Sequence, residues 1–435
     1  MNLIKVSSVE QVLNPEFLKV VIENHKTGTL TRLEKLQNYF EGKHAITNRT
    51  MTDTNKPNNK VVNPFPSYIV NTTVGYFMGK PVQYASADTS LLESVQDVFK
   101  RNDEQYVNAE HSKQSGIKGL SAELLYMDEE SQIKFDVLDV NELVLVYDTK
   151  IDPSLIAAIR YYSVQDYVSK ESVVHVEVYT ANEIVMYEQS KKEYVEKDRK
   201  EHHFKEVPVV VYWNNGEGIG DFEKLIPLID EYDKAVSDRA NDLEYFADAY
   251  LVLKGMNATQ PEDVNEMKQN RVMLLDEKGT AEWLVKEIDN ESLESFKDRL
   301  EKDIHKFSHV PNMSDETFGS NLSGIAIKYK FMGLETLVSQ KERLFKQALS
   351  KRIRLVVNIL NTKGQSFEAT ELGMLFTRNL PVNKTEEAEF AQKLFGIVSE
   401  ETLLAQLSFI EDALDEIDKK KQEKENGDYS SIGQV

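Results

Sequence analysis

Between Leu124 and Trp213 apolar and polar residues alternate in short runs, as in Ile133-Lys134-Phe135-Asp136-Val137, Val174-His175-Val176-Glu177-Val178 and Pro208-Val209-Val210-Val211-Tyr212. A period of two sends successive side chains to opposite faces, so the stretch predicts a half-buried antiparallel sheet. After the turn Asn214-Asn215-Gly216 the apolar positions fall on steps of three and four, at Leu225, Ile229, Tyr232, Val236, Leu243, Phe246 and Tyr250, interrupted by Arg239. The period predicts a helix over about 225–250, ~39 Å long at ~1.5 Å per residue, whose seam needs a helical neighbour.

The flanking regions follow the same logic. Residues 14–45 carry a helical pattern at Phe17, Val20, Val21, Leu30, Leu33, Leu36 and Phe40, followed by a polar Asn/Lys-rich loop from Thr47 to Asn63. Val272-Met273-Leu274-Leu275 and Trp283-Leu284-Val285 predict a small hairpin across Glu277-Lys278-Gly279. A helix over about 291–309, a turn-rich interruption from Val310 to Ser323 and a long helix over about 324–361, ~57 Å with Gly333 as its weakest point, come next. Thr385 to Glu425 predicts short acidic helices, and Asn426–Val435 a disordered tail. There is no internal repeat, and the expected fold class is α+β.

Composition narrows the chemistry. The chain has 435 residues and a net charge of −21, from 73 Asp+Glu against 52 Lys+Arg, yet 40% of positions are apolar. That combination is a globular chain with an acidic surface, of roughly two to four domains. With no Cys there is no disulfide, thiol nucleophile or Cys-based metal site, which fits a reducing, intracellular setting. No apolar run approaches the roughly 18 residues of a membrane span, and Met1-Asn2-Leu3-Ile4-Lys5 lacks a signal-peptide layout, so a soluble, cytosolic chain without a membrane partner is expected. Asn48-Arg49-Thr50 and Asn71-Thr72-Thr73 match a glycosylation pattern by composition alone. A surplus of carboxylates excludes tight, sequence-specific DNA binding.

Candidate chemical motifs are weak. His305 and His309 lie four apart on a predicted helix with Glu301 a turn back, but Lys306-Phe307-Ser308 between them breaks any His-Glu-x-x-His pattern, so structural histidines are expected. His202-His203 reads as an exposed loop pair. Gly216-Glu217-Gly218-Ile219-Gly220-Asp221 stands between a strand and a helix, yet its spacing matches no phosphate loop and its carboxylates repel phosphate, leaving a flexible hinge. No catalytic, metal or cofactor site is expected.

Charge placement says more. From Ser320 to Gly364 nine cations face two anions, whereas from Asp221 to Tyr250 nine carboxylates face three cations. Lys328, Arg343, Lys346 and Arg354 share an arc of roughly 80° on the long helix. Lys330, Lys341 and Arg352, eleven apart, cut through its apolar face and are expected to meet carboxylates of another subunit at a heterologous interface.

Several phrases, taken in order, resemble the portal proteins of tailed bacteriophages, the type found in siphophages of Gram-positive hosts. They are Tyr39-Phe40-Glu41-Gly42-Lys43-His44-Ala45-Ile46, then Asn63, and Ile69-Val70-Asn71 with Gly75-Tyr76-Phe77-Met78-Gly79-Lys80-Pro81-Val82. Pro208 and Trp213-Asn214-Asn215 lead into Leu228-Ile229-Asp230-Glu231-Tyr232, followed by Asn321-Leu322-Ser323-Gly324-Ile325-Ala326-Ile327-Lys328-Tyr329. Arg378-Asn379-Leu380-Pro381 and Ser399-Glu400-Glu401-Thr402-Leu403-Leu404 complete the series, which spans about residues 30–415.

The resemblance implies a portal fold with an α/β wing at 1–220, a stem helix at 221–253, a small α/β clip at 254–290 and a second stem helix at 291–309. A tunnel loop at 310–322, a long helix and wing return at 323–384, and a helical crown with a disordered tail at 385–435 complete it. It further implies a homo-oligomeric ring of about twelve subunits at one capsid vertex of the virion, assembled in the host cytoplasm. Double-stranded DNA would pass through without sequence specificity. Terminase large subunit, head-completion or adaptor protein, scaffold and major capsid protein would be the partners. Asn312, Ser314, Thr317, Ser320 and Asn321 would face DNA from the loop, the seam Leu225, Ile229, Tyr232, Val236, Leu243 and Phe246 would pack the stem, and the stem's acidic charge would repel the duplex. The alternatives are a non-portal head or tail scaffold and a metal-dependent nucleic-acid enzyme.

Overall fold

The computed structural model describes residues 3–53, 56–165, 167, 170, 172–190, 193–246, 250–254, 280–284, 290–314, 324–380, 384–404, 407, 410 and 413–425. It is a mixed helix-and-sheet protein. The chain opens with β1 (Ile4–Lys5), α1 (Val9–Val12) and α2 (Pro15–Asn24), and α2 runs through a π-turned stretch, His25–Leu30, into α3 (Thr31–Phe40). The start of α2 is set locally: the Asn14 side chain accepts the Glu16 N–H at 2.9 Å, and Pro15 needs no partner there. Next come α4 (Phe65–Met78), β2 (Gln83–Ala85), α5 (Thr89–Arg101) capped by Asp88, and α6 (Glu104–Lys118).

The alternating region forms two sheets. The strands are β3 (Leu120–Met127), β4 (Ile133–Leu138), β5 (Leu143–Tyr147), β6 (Leu155–Gln165), β7 (Ser172–Tyr179), β8 (Glu183–Ser190), β9 (Glu193–Glu201) and β10 (Val209–Trp213). A six-stranded sheet has the order β1-β5-β6-β7-β8-β9, antiparallel except for the parallel β1–β5 pair, and a three-stranded sheet has the order β10-β3-β4. On the larger sheet Ala157, Ile159, Tyr161, Val176, Val178, Val185 and Tyr187 turn inward against Leu18, Val21 and Ile22 of α2. Alternate residues such as Arg160 and Tyr162 turn outward, as the period of two requires.

Helices follow: α7 (Ile226–Phe246) and α8 (Asn290–Ser308), with β11 (Tyr250–Lys254) pairing antiparallel with β12 (Thr280–Leu284) between them in sequence. Two expectations change here. Tyr250 belongs to a strand rather than to the end of a 225–250 helix, and Trp283 and Leu284 pair with Leu251 and Tyr250. The expected hairpin partner at 272–275 lies outside the described residues.

The long helix is broken. It is formed by α9 (Gly324–Lys330) and α10 (Met332–Thr362), separated at Phe331, two positions before the glycine expected to be weakest. Phe331 is buried and stacks on Tyr76 with centroids 5.5 Å apart, so tertiary packing sets the position of the break. Beneath α10 lies the largest core, where Leu334, Val338, Phe345, Leu349 and Ile353 share a cluster with Phe77, Phe99 and Tyr212. The strand β13 (Gly373–Leu375) pairs with β2, and the chain continues through α11 (Lys384–Leu394), α12 (Glu400–Leu404) and α13 (Ala413–Glu425), short helices as the pattern predicts. The tail from 426 lies outside the described residues.

Against the six-stranded sheet His25 is buried, its Nδ1 2.8 Å from the Tyr161 hydroxyl on β6. Burial lowers its pKa from the ordinary 6.5 to about 4. Between those values the unfolded chain takes up a proton that the folded chain does not, so stability falls as pH drops through that window. Urea unfolding followed from pH 7 to pH 4 should show this loss, and His25→Gln should flatten the slope.

Candidate functional site

Three polar joints hold the helices that the sequence singled out. The first lies under α10. Glu104, Asn108 and His111 share one face of α6, and Ser121 and Glu123 share one face of β3. Arg352 enters between them, fully buried. Its Nε donates to Glu123 at 2.9 Å, Nη2 donates to the other Glu123 oxygen, and Nη1 donates to Asn108 at 2.7 Å and reaches Glu104 at 3.4 Å. The guanidinium also lies over the Phe135 ring, 4.5 Å from its centroid.

His111 completes the hub, 3.1 Å from Glu123 and 2.9 Å from Ser121 Oγ, with its ring stacked on Tyr212 at 4.0 Å. Burial disfavours the Arg352 charge, yet Glu123 holds its pKa above the ordinary value. Burial likewise pushes Glu123 up, and Arg352 pulls it below the ordinary carboxylate value. Glu104 is raised by burial, with only part of the guanidinium's field to offset it. Burial also holds His111 below its usual value against the pull of Glu123. Ser121, His111 and Glu123 resemble a hydrolytic triad in composition, but Ser121 is 1% exposed and Glu123 is committed to Arg352. They form a structural set.

This overturns the expected inter-subunit role of Lys341 and Arg352. Lys341 is buried and donates to Asp221 at 2.6 Å, and Arg352 is saturated by Glu123 and Asn108, all within one chain. A buried cation needs its counter-charge in place when the chain folds, and these partners supply it. Lys330, third in the stripe, is half-buried. Of the other arc, Arg354 pairs with Glu206 and Lys346 with Glu342, while Lys328 and Arg343 are exposed.

The second joint fastens α7. Tyr39 Oη donates to Asp230 at 2.8 Å, and His44 Nδ1 meets Asp233 at 2.5 Å with both side chains fully buried. Asp233 also accepts the Asn63 backbone N–H at 2.8 Å and the Asn63 side chain at 2.9 Å. Further along, Val61 N–H donates to Ser237, Asn59 N–H to Asn241, the Asn59 side chain to Glu244 and Arg49 to Asp238, at 2.6–2.9 Å. What the sequence offered as a loop at 47–63 thus contributes a strap along a polar stripe of α7. The clue was present but unread: Asp230, Asp233, Ser237, Asn241 and Glu244 repeat at helical spacing.

The same contacts revise the electrostatics of the segment from Asp221 onward. Asp221 is paired with Lys341, Glu223 with Arg32 and Asp238 with Arg49, while Asp233 meets His44, so part of the charge that is acidic in sequence is compensated in space. The glycine-rich turn is clamped, where a flexible hinge was expected. Asn214 and Asn215 side chains each donate to the Ile219 carbonyl at 2.8 Å, and Asp221 N–H donates to Gly116 at 2.7 Å. Gly119 lies at φ +88° against Gly218, where a Cβ would collide with the Gly218 carbonyl.

Along the expected seam Leu225 and Ile229 are buried, and Tyr232 meets Phe65 edge-on with centroids 5.0 Å apart. Val236 is half-buried, Leu243 is 56% exposed, and the Phe246 side chain lies outside the described residues.

The third joint is the root of the interruption after α8. The Tyr68 hydroxyl donates to the Pro311 carbonyl at 2.8 Å and accepts the Met313 N–H at 3.0 Å. His305 Nδ1 donates to the Val310 carbonyl at 3.0 Å, and Asn312 donates to Glu301 at 2.7 Å. Ser314 is exposed, its N–H held by the Asn312 side chain, while Thr317, Ser320 and Asn321 lie outside the described residues. His305 and His309 have different tasks: the first braces the root, and the second ends α8 in a left-handed turn at φ +61°. Among the described residues no group of three His, Asp or Glu is placed to hold a metal, and no helix is long and apolar enough to cross a membrane. His202 is half-buried and bonded to the Thr180 carbonyl, where an exposed pair was expected, while His203 is exposed.

The hub gives a direct test. Arg352→Met should cost ~3–5 kcal/mol, because it strands two buried carboxylates. Adding Glu123→Gln should recover part of that loss by removing one stranded charge. Urea midpoints of the single and double variants measure both effects.

The chain matches the family of phage portal proteins described as SPP1 Gp6-like over residues 20–428. It is 25% identical to the portal protein of Bacillus phage SPP1, over 97% of this chain and 89% of that one. It is 24% identical to the portal protein of Clostridium phage phiCD119, over 85% of each chain. Its fold resembles that of a chain in the neck of an empty GTA particle computed with C6 symmetry, with TM-score 0.50 and 12% identity, covering 86% of this chain and 92% of that one. The resemblance read from the ordered phrases is therefore correct, and this chain belongs to the phage portal protein family of the SPP1 Gp6-like type.

Proposed function

We propose that this portal protein closes into a ring of about twelve subunits at one capsid vertex, through which DNA is packaged and ejected. The observation that carries the reading is a set of large apolar side chains exposed on the helices around the loop root. Leu243 on α7 is 56% exposed, Phe296 and Phe307 on α8 are 47% and 54%, Tyr329 is 72% and Met332 is 63%. A heterologous contact repeated around a closed ring would cover such side chains.

In this reading 1–220 is the wing, 221–253 and 291–309 are the stem, 254–290 the clip, 310–322 the tunnel loop, 323–384 the long helix and wing return, and 385–435 the crown. The wall must surround DNA without holding it. Several unpaired Lys or Arg would add strong, salt-dependent affinity and act as a brake. The pairing of Arg32, Arg49, Lys341 and Arg352 with carboxylates of their own chain removes those cations from competition for phosphate. Ser314, with Thr317, Ser320 and Asn321 further along, would offer uncharged polar contacts that form and break readily, while Asn312 is engaged with Glu301 and the Ser314 N–H. The clip would receive terminase large subunit and later the head-completion or adaptor protein, with scaffold and major capsid protein as assembly partners. The role is structural rather than enzymatic, in a virion assembled in the host cytoplasm.

Light scattering after gel filtration should give about 600 kDa for twelve 49.9 kDa chains, with annular particles in negative stain. Leu243→Glu should keep the monomer's melting temperature and lose the ring. Deleting 310–322 should leave rings that fail to package DNA. A wild-type chain that is monomeric and never annular in assembled heads or alone would refute the ring, and normal packaging by the deletion would reduce the loop to a connector.

A further inference from the structure

Where α3 and α6 meet β3 and the turn Val140–Glu142, the fold leaves a polar cavity of about 330 Å³. Its wall includes Gln37 of α3, Gln114 and Lys118 of α6, Ser121 of β3, and Asp139 and Asn141. The volume is at the low end of small-ligand cavities, roughly 300–1,000 Å³.

Two groups in this wall have bonds left to make. Lys118 is 5% exposed, and of the three donors on its ammonium one is used among the described residues, to Asp139 at 3.2 Å. Asn141 Oδ1 is buried without a hydrogen-bond partner, although the Asn141 backbone is satisfied on both sides, by Asp139 at 3.0 Å and by the Tyr161 hydroxyl at 3.1 Å. A buried amide oxygen left unpaired bears its full desolvation cost, so this atom in a cavity wall calls for a donor from outside the chain.

Neighbouring groups set what can enter. His111 Nε2 faces the Glu123 carboxylate at 3.1 Å, so Nδ1 takes the Ser121 proton at 2.9 Å and the Ser121 oxygen is left to accept. Gln37 and Gln114 donate through Nε2 to Glu41 at 2.9 Å and to Glu110 at 2.7 Å, which leaves their carbonyl oxygens as further acceptors. Those two carboxylates have cations of their own, Lys43 and Lys113. Within the wall Lys118 and Asp139 balance each other. The cavity is therefore neutral overall, with one strong donor and several acceptors.

We propose that this cavity is a binding site for a primary carboxamide. The carboxamide oxygen accepts from Lys118 Nζ, and its NH2 group donates to Asn141 Oδ1 and to a neighbouring glutamine or serine oxygen. A carboxylate has no proton for Asn141 and adds a like charge near Asp139. An amidinium has no acceptor for Lys118 and adds a like charge beside it. The amide meets both sides without adding charge. Asn and Gln side chains of another protein and small free amides carry this same group. Every group of the site belongs to one chain, so it stands or falls independently of the ring.

Propionate, propionamide and propionamidine have nearly the same shape and differ in which end accepts and which donates. Saturation-transfer NMR on the full chain reads their relative affinities. Propionamide should bind about fivefold or more tightly than the other two. Lys118→Met leaves Asp139 without its cation and should invert the order in favour of propionamidine. Asp139→Asn frees the Lys118 charge and should favour propionate by about tenfold. Asp139→Asn also keeps an oxygen for the Asn141 N–H, so it retains the turn and decides the case even if Lys118→Met fails to fold. Equal affinities for the three compounds in the wild type, or an unchanged order in Asp139→Asn, overturns the site and reduces the cavity to a place for water. N-acetylglutamine methylamide separates the sources: binding tighter than that of propionamide assigns the site to a side chain of another protein, and weaker binding assigns it to a free amide. Both results uphold the carboxamide preference.

Discussion

A guanidinium with no exposure to water is the constraint around which the rest of the chain is arranged. Arg352 sits deep in the apolar face of a long helix, where an unpaired charge would be untenable, and the chain answers with Glu123 from one strand and Glu104 and Asn108 from another helix. Meeting that demand fixes how α10 lies across the three-stranded sheet. Other contacts then follow along the helix: Lys341 reaches Asp221, and Lys351, its amine lowered to about 8 by burial, donates to the Val209 carbonyl at 2.8 Å. Such a cluster adds little net stability over an apolar core of the same shape. Its effect is on specificity, because few alternative packings satisfy every charge.

From this hub the structure reads as a chain of attachments. The start of α7 is tied through Asp221 and Glu223 to α10 and α3, its middle through Asp230 and Asp233 to Tyr39, His44 and Asn63, and its later turns to Asn59. Phrases that carried the family resemblance separately turn out to touch. Tyr39 and His44 meet Asp230 and Asp233, Asn379 donates to the Tyr76 carbonyl, and Arg378 shares the Glu335 carboxylate with the Tyr76 hydroxyl. The helix α7 and the start of the segment after α8 are therefore held by polar bonds of known partners, and exposed apolar side chains remain on the helices around them.

Element identity was legible where burial imposes a period. The sheets, the 291–309 helix and the short terminal helices stand where alternation or helical spacing placed them. The break at Phe331 was not legible to the residue, since Gly333 marks a weak point but Tyr76, more than two hundred residues earlier in the chain, chooses where the helix yields. The strap was hidden for a similar reason: Asn58, Asn59 and Asn63 look like any polar loop until α7 supplies the groups they bond. The fixed turn at Asn214–Asp221 looked flexible because glycines signal freedom, whereas here they permit close approach of two backbones.

Charge was the property most changed by folding. The amino-acid sequence alone determined most of the secondary elements, the family and the presence of a basic segment after an acidic one, because hydrophobic period and local composition act between near neighbours. Only the tertiary structure decided that Lys341 and Arg352 find their carboxylates inside the same chain and that Asp221, Glu223 and Asp238 are paired with Lys341, Arg32 and Arg49. The physical reason is range: an ion pair forms over a few ångströms, and which groups come that close is set by packing between segments far apart in sequence.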